Sequence, residues 1–196
     1  MFKNYNKLNM NLDDLIKRVY ESPCQHKFHD RALSDNHYLM LIINEFSKVI
    51  GADSEERRVD SFLLRKWQRN DFSFSNEAEV RIFEEIFESF IANTVEDICA
   101  CTFICLLDFA RLRDANFEGW SEVMEEIISD IKPNAIDIYS FPELIFNFCK
   151  CATHGDVENK ILILLCNIMV ICHVYSIDIE WCVKQRMRYN ECKTNQ

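Results

Sequence analysis

Acids placed in or beside apolar helical runs are the residues in this chain whose types and positions could carry chemistry. Glu45 lies beside an apolar stripe, with Lys48 three positions on and therefore on the same helical face. Glu96 and Asp97 sit together at the start of an apolar run, and Asp108 lies inside that run with Arg111 three positions later. Carboxylates gathered in this way hold a hard divalent cation, through which an acidic protein can bind the phosphates of a nucleotide. Two other groups offer different chemistry. Cys149, Cys151 and His154 could present three metal ligands at one helix end, although no clear fourth ligand accompanies them. His26, Lys27, His29 and Arg31 form a small basic group, readable as a solvated loop or as an anion contact.

These residues depend on the helices that position them. With 3 glycines and 3 prolines among 196 residues, the chain has too few breakers for a turn-rich β protein. A hydrophobic content of 48% marks it as globular, and the long uninterrupted segments favour an all-α fold. The net charge of −10, with no basic stripe, argues against nucleic acid as a partner. The ten cysteines include no C-x-x-C, and most lie in apolar helical runs. The opening MFKNYNKLNM lacks the apolar core of a signal peptide. The expectation is a reducing cytoplasm, with thiols serving as small hydrophobes.

The segment Thr94–Arg113 (TVEDICACTFICLLDFARLR) is the centre of the expected fold. Thr94 and Asp97 give a capping-box-like start, and Arg111 and Arg113 close the helix at its favourable end. From Ile98 to Ala110 the one charge is Asp108, so the helix is apolar on every face and belongs inside protein. That run is too short to span a bilayer, so no membrane is expected. Around it the pattern predicts helices over Asn11–Glu21, Asp35–Ala52 with Gly51 as its stop, Ser54–Asn70, and Asn76–Ala92. In the last of these Val80, Phe83, Phe87 and Phe90 are expected to face inward, with Glu84, Glu85 and Glu88 on the wet face. From Phe117 the pattern restarts more weakly. Phe141–Thr153 corresponds to Tyr38–Gly51, the apolar run Ile161–Tyr175 to the central helix, and IEW at 179–181 to FEGW at 117–120. The expected organisation is an extension over 1–10, one helical domain over 11–191 built of two weak repeats (about 34–118 and 139–181), and a tail over 192–196.

HYLMLIINEFSKVIGAD at 37–53, together with NTVEDICACTFICLLDFARLRDANFE at 93–118, resembles the MazG-like all-α nucleoside triphosphate pyrophosphohydrolases. Lys27-Phe28-His29-Asp30, IDIEW and the closing MRYNE resemble a bacterial branch of that family of about this length. The resemblance covers most of 10–191 and implies an internally duplicated helical bundle that often dimerises. It also implies Mg²⁺ held by an E-x-x-E on one helix and an E-x-x-D on the next, with nucleoside triphosphate cleaved to monophosphate and pyrophosphate.

The chain departs from that pattern where the metal would bind. Glu45 matches the first acid, Lys48 stands at the second, and Ile98 and Cys101 take the places of the third and fourth. A thiol and an alkyl chain are poor ligands for magnesium. Lys48 is expected to pair with Glu45 and replace the metal's charge. Asp108 is expected to serve in a structural ion pair or buried hydrogen bond. The implied function is a hydrolase-family member that is impaired or inactive, keeping its bundle to bind a nucleotide or a partner. Two alternatives stand beside it: an active enzyme with a rearranged set (Glu45, Glu96, Asp97, Asp108), and an unrelated helical interaction module. Lys27, His29 and Arg31 are the candidate anion ligands.

Overall fold

The computed structural model describes residues 17–19, 33–60, 76–116, 118–129, 140–153 and 155–194, and among them the secondary structure is all helical. Residues 17–19 are helical within the expected first helix. The rest of that helix, the basic loop with Lys27, His29 and Arg31, and most of Ser54–Asn70 lie outside the described residues. Seven longer helices follow: α1 (Asp35–Ser54), α2 (Glu77–Phe90), α3 (Val95–Leu112), α4 (Trp120–Ser129), α5 (Phe141–Cys151), α6 (Val157–Val174) and α7 (Ile179–Thr194).

α3 is the hub, packing against α1, α6 and α7. Phe103, Leu106, Leu107 and Phe109 are fully buried along it, each such burial contributing about 1.5–3 kcal/mol. Its start is built as the residues dictate. Thr94 accepts the Asp97 N–H (3.2 Å), and Asp97 in return accepts the Asn93 N–H (2.9 Å). α1 runs antiparallel to α3. Tyr38, near the start of α1, stacks on Phe109, near the end of α3, with centroids 5.2 Å apart. At the other end the Val95 N–H donates to the Arg57 carbonyl (3.1 Å).

The second half is laid out similarly. α5 starts at Ser140 with a capping box closed by Glu143, and touches α1 through Phe46 and Phe148. α6 has 18 residues, as α3 does, and is capped by Asp156. By length and composition α6 could cross a membrane, but half of that stretch is buried inside the protein. Both α3 and α6 end in the same corner. The backbone turns left-handed at Asp114 (φ 50°) and Ser176 (φ 55°), and a hydrogen bond returns from Ala115 to Ala110 and from Ile177 to Cys172.

α1 ends in that way too, at Glu56 (φ 53°) with Arg57 bonded back to Ala52. The helix therefore runs through Gly51, which was expected to stop it. The following helix cannot begin at Ser54, because residues 57–60 are non-helical and the Arg57 carbonyl serves α3. α2 also corrects the expectation. Phe83 and Phe87 are buried, but Phe90 is half exposed and Glu84 is buried at 7%. Glu84 can be inside because the Lys193 ammonium on α7 lies 3.6 Å away. Glu85 and Glu88 are exposed.

Candidate functional site

The facing turns of α1 and α3, with α7 across them, bring together Glu45, Lys48, Asp97, Cys101 and Arg186. The antiparallel register of α1 and α3 puts Glu45 and Lys48 beside the first turn of α3, where both act electrostatically on Asp97. Lys48 donates to Glu45 at 2.5 Å, as the spacing implied, but its side chain is 48% exposed and Glu45's is 22% exposed. This is a surface pair with a modest contribution, about 0–1 kcal/mol.

The buried charge is elsewhere. The Asp97 side chain is 2% exposed, and burial pushes its carboxyl above the usual range while Arg186 and the Asn93 N–H pull it back. Its Oδ2 accepts from Asn93, and Oδ1 makes no hydrogen bond but lies 3.3 Å from Arg186 Nε. The same Nε–H donates to Cys101 Sγ. Beside this edge the guanidinium carbon lies 5.5 Å from the Phe87 ring centroid and 5.6 Å from that of Tyr189, two rings that stack on each other at 4.3 Å. Arg186, which no spacing in the sequence singled out, is therefore the cation that faces the buried acid. Lys48 holds the rim.

The remaining candidates point elsewhere. Ile98 is buried in the core. Glu96, next to Asp97 but about 100° around the helix, accepts the Val59 N–H (3.1 Å) and faces Arg58 (3.8 Å). Asp108 lies 11 residues beyond Asp97, about 16 Å along the axis, so it cannot share a ligand with it. Burial pushes the Asp108 carboxyl up to about 7, against the pull of Arg111 one turn on. The set Glu45, Glu96, Asp97 and Asp108 is thus not brought to one point. In the second half Cys149 and Cys151 are partly buried, while His154 lies outside the described residues.

Magnesium requires several anionic oxygens with free lone pairs converging on one point. Here Glu45 is engaged by Lys48, Asp97 by Arg186, and the Cys101 thiol is pushed up to about 12 by burial, which keeps it protonated. Among the described residues no three or more of His, Cys, Asp and Glu gather closely enough to hold a metal. The donor set does not fit Mg²⁺. What the arrangement offers is a fixed arginine, anchored along one edge, in a socket that a neighbouring lysine borders. No protein-family model, curated protein or solved structure matches the chain.

Proposed function

We propose that the chain is a non-hydrolytic homologue of the MazG-like all-α nucleoside triphosphate pyrophosphohydrolases, keeping the bundle to bind a nucleoside triphosphate or a partner without cleaving it. The reading rests on the resemblance of 37–53 and 93–118, with Glu45 as the one retained acid. The observation that carries it is Arg186 seated against Asp97 and Cys101. A built-in guanidinium supplies the positive charge that balances the acid of α3, so the fold does not depend on an added cation. Two central helices of equal length, capped and terminated alike, support a duplicated bundle. Thiols lodged in apolar helices fit a reducing cytoplasm.

The test is to incubate the purified chain with common and damaged nucleoside triphosphates and Mg²⁺ and to measure pyrophosphate. The expected release equals that of a Glu45→Ala control. Release well above the control overturns the proposal.

A further inference from the structure

The geometry points to a metal-independent phosphate site, in which the open fork of Arg186 and the ammonium of Lys48 take oxygens of a nucleotide's phosphate group. The inference deepens the reading above and rests on it in taking the phosphate to belong to a nucleotide.

Among the described residues Arg186 uses only one of its three nitrogens for hydrogen bonding. Nε–H donates to Cys101 and faces Asp97 at 3.3 Å, and the stacked rings of Phe87 and Tyr189 pack against the guanidinium from one side. Among the described residues Nη1 and Nη2 make no hydrogen bond, and the side chain keeps 19% of its surface open to solvent. The four Nη–H donors thus remain for a ligand, in the fork geometry that binds phosphate oxygens in pairs. The ordering cost of such a long side chain has already been met by its anchors. Lys48, half exposed, spends one donor on Glu45 and has two more.

The negative groups at the site are themselves matched. Glu45 is held by Lys48 and Asp97 by Arg186, so the mouth is near neutral rather than strongly acidic. In a chain of net charge −10 an approaching anion is repelled at long range, which makes the local fork the source of any affinity and physiological salt the right condition. Where a magnesium-dependent relative bridges carboxylate to phosphate through metal, this site would contact phosphate directly.

The experiment is calorimetric titration of the full chain, in EDTA and about 0.15 M salt, with inorganic phosphate, inorganic pyrophosphate and a nucleoside triphosphate. Binding of the triphosphate without metal is expected. Affinity for pyrophosphate equal to that for the triphosphate assigns the site to polyphosphate alone, and tighter triphosphate binding assigns it to the nucleotide; both support the site. Arg186→Lys keeps the charge but loses the fork and should weaken binding at least tenfold. Lys48→Glu, at an exposed position that leaves folding intact, should weaken it to a similar degree and guards against a failure of the arginine variant to fold. Absence of binding in EDTA overturns the inference, as does binding unchanged by Lys48→Glu, or a tenfold tightening on adding Mg²⁺. A chain that binds in EDTA and also releases pyrophosphate with Mg²⁺ keeps this site and loses the non-hydrolytic reading; a chain that does neither has the reverse outcome.

Discussion

Asp108 is a carboxyl inside the central helix, 7% exposed, whose proton affinity has been raised by burial from 3.8 to about 7. Replacing it with asparagine, which mimics the neutral acid in size and polarity, isolates what that titration does to stability. Between pH 4 and 7 the folded chain retains a proton that the unfolded chain has already released. Stability therefore falls as pH rises through this window and levels off above it. The full shift corresponds to about 4 kcal/mol, and the portion lost between pH 5 and pH 8 to about 2.5 kcal/mol. Asp108→Asn cannot titrate, so its advantage over the parent should grow by about that amount between the two pH values. In urea unfolding followed by circular dichroism this is a relative midpoint shift of roughly 1 M. Taking the difference between the two proteins cancels the lowered carboxyls of Glu88, Glu143 and Asp156, which act in the opposite sense at lower pH. A difference that is the same at pH 5 and pH 8 refutes the reasoning, because Asp108 would then be ionised in both.

Arg186→Met strands the buried Asp97 charge and should cost about 3–5 kcal/mol by chemical denaturation, while adding Asp97→Asn should restore most of the loss. A double-mutant cycle on Glu45 and Lys48 should return a coupling below about 1 kcal/mol that shrinks in high salt, as expected for an exposed pair. Ser176→Gly relieves a left-handed serine at an exposed corner (φ 55°). It should raise stability by about 0.5–1 kcal/mol, seen calorimetrically as an increase of about 1–4 °C in melting temperature.

The central helix was readable because its signals are local. Thr94 and Asp97 mark its start, the uncharged run from Ile98 marks its burial, and both act within a few residues. Phe46 was legible for the same reason, as a member of the apolar stripe beside Glu45. Glu84 was misread because charge alone suggested water, whereas its partner Lys193 comes from a helix more than 100 positions away. Gly51 looked like a stop, but a helix also accepts glycine internally, and the corner that ends α1 uses Glu56 in a conformation composition does not announce. Arg186 was missed altogether. It lies in a strongly charged helix among Lys184, Arg188 and Lys193, where nothing in the spacing separates the cation that faces Asp97 from the others. A signal was nevertheless present in Asp97, an acid at the head of a helix meant for the interior, which required a positive partner that its own neighbourhood does not contain.

The nine free cysteines of the described residues have a consequence for handling this protein. Cys99, Cys172 and Cys182 are brought together from α3, α6 and α7, and burial raises both Cys172 and Cys182, so the folded interior keeps its sulfur protonated and slow to react. Melting the chain removes that protection all at once. While the chain is held unfolded in air the exposed sulfhydryls will cross-link at random over seconds to hours, so a heated sample should precipitate without reductant and recover on cooling with it.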